Sequence, residues 1–314
     1  MDMLKNDAFI NALKKNDLDL LKNIPKADLH NHFKYGGTID YFNSEENKNI
    51  SIPPKRFGSI EKMQEWQKMN IIPKFTGSNG ILERAYGTFL QAKSDNIVRL
   101  SLCISLSSLL QFKDNELIEI LLSYKNKLIP ESKVTFELIL DKNSPKDYID
   151  KYAKKFIDSN LFYALDCGGI PEIEGINKFI DVYDYAGEKG LILKAHLGEF
   201  STPEELLCGI KLLHLNQVNH GISAAKSLKV MDYIRDNNIL LNICPASNIR
   251  LGIVNSYSEH PIKMLYRYGI KITINTDDLL LFGDSISQQY FNLYTSEVLT
   301  AKELNNIRIY SLLQ

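Results

Sequence analysis

A chain of 314 residues with 44% hydrophobic and 24% charged residues is long enough for one large domain or two small ones and fits an ordinary globular protein. Its 37 basic and 38 acidic residues leave a net charge of −1, which removes the bulk electrostatic reason to expect nucleic acid or another polyanion as partner. No apolar run could span a bilayer, the N-terminus MDMLKNDAFINALKKNDLDLLKN has no signal-like apolar core, and Cys103, Cys167, Cys208 and Cys244 form no C-x-x-C pair, so the expectation is a cytoplasmic protein with reduced thiols.

In chain order, residues 1–24 read as a short helical segment, and a strand follows over 27–33 (ADLHNHF). The polar stretch 43–59, with its Pro-Pro step, reads as a loop, and 59–75 as a helix capped by Ser59 and stopped near Pro73. Further strands are expected over 96–105, 133–140, 161–169, 191–199, 218–224, 240–248 and 271–282. Amphipathic helical stretches such as 144–159 and 176–190 lie between them, the second stopped by Gly190. Strands separated by long crossovers pair in parallel. Eight of them predict an α/β fold, a (β/α)8 TIM barrel occupying 1–314 as one domain. The alternative is an open doubly wound sheet, whose G-x-G-x-x-G marker is missing after the first strand.

In such a barrel the chemistry sits at the C-terminal ends of the strands. Strand one ends His30-Asn31-His32, strand five His196-Leu197-Gly198-Glu199, strand six carries His220, strand seven Cys244 and Ser247, and strand eight Asp277-Asp278. His214 and His260 fall outside these ends and read as solvated surface groups. Side chains alternate along a strand, so His30 and His32 face the axis together. With His196 and Asp277 they make a donor set suited to one zinc ion, Zn2+. His220 is then the natural partner of an attacking water. Glu199 is the natural proton donor if its pocket keeps it protonated, and Asp278 can hydrogen-bond a ring nitrogen.

At these residues the chain resembles the adenosine deaminase family of metal-dependent amidohydrolase barrels. The resemblance runs through PKADLHNHF, LDCGGIPE, KAHLGE, NHGIS, CPASN and INTDDLLLF, in that order. It implies zinc at His30, His32, His196 and Asp277, with Glu199 as donor to purine N1 and His220 as the group that orients and deprotonates water. It further implies a hydrogen bond from Asp278 to N7 and the Gly169 N–H near N3. The reaction implied is hydrolytic deamination at C6 of an adenine nucleoside, with a small-molecule purine as partner. The insertion at about 43–80, which contains Trp66, stands where the family has a helical lid, although ordinary packing explains its apolar residues equally well. Strand four ends Asp166-Cys167-Gly168-Gly169 without the bridging lysine of two-metal relatives, and Cys167 reads as a buried structural thiol, so one zinc is expected. P-C-x-x-C is absent, which excludes the unrelated nucleobase deaminases.

The chain departs from the family at His32-Phe33-Lys34-Tyr35-Gly36-Gly37. Nucleoside-specific members place an aspartate where Lys34 stands, and the turn here is one residue longer. Lys34 either swings into solvent or enters the pocket mouth, where an ammonium near a metal dication requires an anion on the substrate's sugar side. Arg99 is a candidate helper. The alternatives to an adenosine deaminase are another C–N hydrolase of the same barrel, acting on adenine, AMP or aminodeoxyfutalosine, and a non-catalytic ligand-binding barrel.

Overall fold

A computed structural model describes residues 5–314, so the first four residues of the expected N-terminal helical segment lie outside the described ones. Helices Asn6–Lys14 and Leu18–Lys22 lead into the first strand. The strands are β1 (Lys26–His32), β2 (Ile97–Ser105), β3 (Lys133–Asp141), β4 (Ala164–Gly168), β5 (Ile192–Leu197), β6 (Gln217–His220), β7 (Leu240–Ile243) and β8 (Ile272–Ile274). They form one eight-stranded sheet in sequential order, every neighbouring pair parallel, as the expected barrel requires.

β8 is too short to supply a full ladder to β1, and the seam is closed by other groups. Asp277 N–H donates to His30 C=O at 3.0 Å and His32 N–H donates to Asp277 C=O at 3.2 Å. Below them Leu29 N–H donates to Asn275 Oδ1 at 2.8 Å, and Thr276 N–H to Asp28 Oδ1 at 3.1 Å. The residues that close the barrel are therefore the same ones that carry chemistry at its mouth.

The last three strands stop earlier than the sequence reading has them, at His220, Ile243 and Ile274. Gly221, with φ 69°, turns the chain out of β6. Pro245 opens the helix Pro245–Arg250, a position where its missing N–H costs nothing. Residues Leu279–Phe282 form a short helix with all four side chains buried, and a short apolar run carries no period that separates a buried strand from a buried helical turn.

The main apolar layer lies between the strands and the surrounding helices. A second apolar cluster joins Phe42, Phe57, Met63, Ile71 and Phe75 to Leu280, Leu281 and Phe282. It packs the inserted helices Ile39–Ser44 and Ile60–Asn70 onto the loop after β8, at the end of the barrel that carries the histidines. The Ser59 cap is in place, its Oγ accepting from Lys62 N–H at 3.3 Å. The barrel interior below the site is polar. Lys194 and Glu137, both buried, pair at 2.5 Å, and Ser101 donates to the same carboxylate. Among the described residues, no helix is long and apolar enough to cross a membrane.

Candidate active site

His30, His32, His196 and Asp277 converge at the barrel mouth, with one donor atom from each lying within 4.8 Å of the others. Asp277 Oδ1 is 3.2 Å from His32 Nε2 and 3.5 Å from His30 Nε2. His30 is fully buried, and its Nε2 has no hydrogen-bond partner. A buried nitrogen left unpaired among two imidazoles and a carboxylate suits a borderline cation such as Zn2+, so the residues fit the metal. Burial alone would raise the Asp277 carboxyl, but contacts from His30 and His32 outweigh it and hold it well below the usual carboxylate range. Burial pushes His30 down to about 4 and His196 well below the ordinary imidazole value, which favours the neutral, ligating form.

Two other groups of donors share His30: His220, Cys244 and Asp277 in one, Cys103, Glu137 and Asp166 in the other. The second is poorly placed, because Glu137 is already engaged by Lys194 and Ser101. In the favoured set His32 and His196 remain partly exposed, leaving an open side for water and substrate. The outer nitrogens of two histidines are held as metal-binding imidazoles require. His196 Nδ1 lies 3.1 Å from Asp166 Oδ2, which also accepts from Asn219 Nδ2 at 3.0 Å. His30 Nδ1 lies 3.4 Å from Cys103 Sγ, whose thiol reaches Glu137 at 3.4 Å. Gly168 makes room for this arrangement, since a Cβ there would lie 3.2 Å from His196 Nδ1.

Glu199 is buried beside this cluster, and burial, with the charges of Asp277 and Glu172, pushes its carboxyl well above the usual value. Its loop is gathered by Glu172, whose carboxylate accepts the backbone N–H groups of Gly198, Glu199, Phe200 and Ser201 at 2.7–3.1 Å. Asn248 Nδ2 donates to Glu199 Oε1 at 2.7 Å. His220 stands between the carboxyl and the metal-capable cluster, with Nδ1 3.3 Å from Glu199 Oε1 and Nε2 3.9 Å from Asp277 Oδ2. His220 and Asp277 both hold positive φ, 71° and 59°, a backbone state costly for such residues and concentrated at functional sites.

Asp278 and Lys34 share the other side of the mouth. Burial pushes Asp278 up to about 7, Asp277 adds to this, and His32, Lys34 and Arg84 pull against it. Its Oδ1 is buried without a partner. Lys34 does not swing into solvent: it is half-buried, and its Nζ donates to Ser108 Oγ at 3.1 Å. Gly169 follows β4 with φ 111°, a backbone state that only glycine adopts readily, and a Cβ there would press within 3.4 Å of Asp141 Oδ1. Ser247 Oγ is 3.5 Å from Glu199 Oε1, at the edge of hydrogen-bond reach.

A family model described as adenosine deaminase matches residues 134–313, more than half of the chain. The chain belongs to the adenosine deaminase family. A putative adenosine/adenine deaminase of Treponema pallidum is 27% identical over 292 residues, covering 90% of this chain and 95% of that one. Among solved structures, a zinc-bound amidohydrolase of Burkholderia ambifaria superposes with a TM-score of 0.78 at 14% identity, covering 95% of this chain and 87% of that one. An ADAL–IMP complex superposes with a TM-score of 0.79 at 16% identity, covering 94% of this chain and 93% of that one. At these identities the two structures speak to the fold, and both share it.

Within this adenosine deaminase barrel, two sequence expectations need correcting. Arg99 is no helper of Lys34: it stands near the start of β2, at the opposite end of the barrel, and donates to the carbonyls of Leu312 and Gln314. His260 is not a solvated surface group but is 3% exposed. Ile262 N–H donates to its Nδ1 at 3.1 Å, so the proton sits on Nε2, which faces Asn248 Oδ1 at 3.2 Å. His260 thus orients Asn248, and Asn248 in turn holds Glu199. Cys167 joins none of the metal-capable groups among the described residues, and burial pushes its thiol up to about 11. Sequence reasoning missed Arg84, Asp166, Glu172, Asn248 and His260. Only Asp166 carried a usable signal, as a carboxylate near the end of a strand that neighbours His196.

Burial pushes the His260 imidazole from 6.5 down to about 3. With its folded value depressed, its contribution to stability is fully present above the unfolded value and is lost as pH falls toward the folded one. The His260 share of that loss is roughly 2 kcal/mol at pH 5. Denaturant unfolding at pH 7.5 and pH 5.0 should show a smaller acid loss in His260→Gln than in the wild type by about that amount, whereas equal losses would contradict a buried neutral imidazole.

Proposed function

We propose that the chain is a zinc-dependent aminohydrolase that replaces the C6 amino group of an adenine compound with oxygen and releases ammonia. The observation that carries this reading is the placement of the buried Glu199 carboxyl, whose hold on a proton burial strengthens, beside a cluster of three histidines and an aspartate whose buried His30 Nε2 is unpaired. His30, His32, His196 and Asp277 would hold one Zn2+. A metal held there would supply the acidity that makes hydroxide available from water near neutral pH.

The protein's own groups account for the rest. Glu199 donates its proton to ring N1, which drains electron density from C6 as oxygen adds there. His220, between Glu199 and Asp277, orients the attacking water and accepts its proton. That proton passes to the departing amino group, the C6–N bond breaks, ammonia leaves, and the proton remaining on the new oxygen returns to Glu199. Asp278, with its unpaired Oδ1, bonds N7, and Gly169 offers its backbone N–H to N3. The inserted helices packed over the β8 loop act as a lid that excludes water from this exchange. The substrate is a small purine rather than a nucleic acid, the site lies within a single 1–314 domain, and the protein works in the cytoplasm.

The test is ammonia release from adenosine, 5′-AMP, 6-amino-6-deoxyfutalosine and adenine, with zinc measured on the same sample. Turnover of at least one of them by protein carrying one equivalent of zinc is expected. Stoichiometric zinc without ammonia from any of the four would favour a non-catalytic binder instead.

A further inference from the structure

Arg84 plays no part in the chemistry above, yet it sits beside it. It lies on the helix Gly77–Ser94 and is 6% exposed. Thr88, one turn further along, donates its hydroxyl to Phe33 C=O at 2.8 Å, so this face of the helix packs against the β1 loop that carries Lys34. The guanidinium is stacked over Tyr35 at 5.1 Å and Phe75 at 5.5 Å, and its Nε donates to Gly80 C=O at 3.3 Å. Its Nη1 is buried with no partner at all. An unpaired guanidinium nitrogen away from water is costly, and a protein keeps one where a ligand completes it.

The second cation is Lys34. Its ammonium donates to the fully buried Ser108, whose hydroxyl is 2.7 Å from that of Ser105. Lys34 Nζ and the Arg84 guanidinium lie 6.0 Å and 5.1 Å from the centre of the same Tyr35 ring, and Leu280 N–H donates to Tyr35 C=O at 2.7 Å, which sets both cations beside the loop that carries Asp278. Two cations beside one acid leave a positive excess that awaits an anion, and Asp278 keeps its own unpaired oxygen for a ring nitrogen.

The side on which these charges lie identifies what they meet. With N1 at Glu199, N9, which bears the sugar, lies at the opposite end of the purine, so the sugar points away from Glu199. Glu199 is surrounded instead by Asp277, Glu172, Asn248 and Ser247. The sugar therefore leaves the pocket on the side where Lys34 and Arg84 stand.

We propose that Lys34 and Arg84 form a phosphate subsite and that the preferred substrate is an adenine nucleoside 5′-monophosphate. A phosphate offers three terminal oxygens that can reach the N–H groups of both cations at once, whereas a planar carboxylate offers two. This inference rests on the proposed deaminase orientation, with N1 at Glu199, and its test separates the two.

The zinc-loaded enzyme is assayed with 5′-AMP, adenosine and adenosine-5′-carboxylic acid. Binding of inosine 5′-monophosphate and of inosine is measured by calorimetry. The kcat/KM for 5′-AMP should exceed that for either other compound by about tenfold or more, and inosine 5′-monophosphate should bind more tightly than inosine by a similar factor. In Arg84→Met, and independently in the less buried Lys34→Met, the 5′-AMP to adenosine ratio should fall by about tenfold, with Arg84→Lys restoring part of it. Adenosine used as well as 5′-AMP, a carboxylate equal to the phosphate, or a ratio untouched in both methionine variants would overturn the subsite while leaving the deaminase reading intact. If no compound is deaminated, the reaction assignment fails, and the calorimetry still decides the subsite: equal affinity for the two inosine compounds rejects it.

Discussion

Replacing Glu199 with glutamine is expected to lower kcat by about a thousandfold while leaving the thermal transition nearly unchanged, because a positioned general acid contributes about 10²–10⁴ in rate. The substitution keeps the shape of the side chain and an amide oxygen for Asn248 Nδ2, which donates to Glu199 at 2.7 Å. The backbone of the loop stays gathered by Glu172, so the fold around position 199 has no reason to shift. What disappears is the acidic proton that the proposed reaction delivers to N1. Glutamine can still hydrogen-bond the ring nitrogen, so KM should change little and the loss should appear in kcat. A variant that kept more than a tenth of wild-type kcat would remove Glu199 from the reaction.

The second large effect is expected from Asp277→Asn. Asparagine tolerates the positive φ of 59° that this position holds, so the backbone bonds that close the barrel against His30 and His32 survive. The charge does not survive, and with it goes the only carboxylate in the favoured donor set. Zinc should be lost on dialysis, and activity should fall by about a thousandfold or more as the electrostatic stabilisation that a metal supplies is withdrawn. Added zinc should raise the melting temperature of the metal-stripped wild type through ligand linkage and leave that of the variant where it was. Full zinc occupancy with near-normal turnover in the variant would place the metal elsewhere.

The parts of the molecule legible in the sequence were those with a strong period or a fixed chemistry. β1 to β5 read well because each is a β-rich run bounded by turn residues, and the crossover lengths left parallel pairing as the main solution. His30 and His32 could be placed on one face from alternation alone. His196 and Asp277 could be joined to them only because a closed barrel brings β5 and the end of β8 to the same mouth. β6 and β7 end at Gly221 and Pro245, local stop signals that outweigh the β-rich residues around them, and β8 reads too long because the apolar run Leu279–Phe282 looks alike in a buried strand and a buried helical turn.

The groups that hold Glu199 were invisible for a different reason. Glu172 and His260 are far from Glu199 in sequence, and neither stands at a strand end. Their roles come from loops folding back, which no local pattern reports. Arg84 is a similar case: on a helix whose neighbours are mixed polar and apolar, its burial depends on Tyr35 and Phe75 arriving from two other segments. Lys34 was legible as an anomaly, and only its bond to Ser108 shows that it stays at the mouth.

The most direct measurement of the central claim is turnover in water enriched in oxygen-18, with the purine product read by mass spectrometry and ammonia counted alongside. Water adding at C6 as the amino group leaves predicts one labelled oxygen in the product ring and one ammonia for each molecule converted. A converted purine without the label, or labelled product formed equally by Glu199→Gln, would contradict hydrolytic deamination at this site.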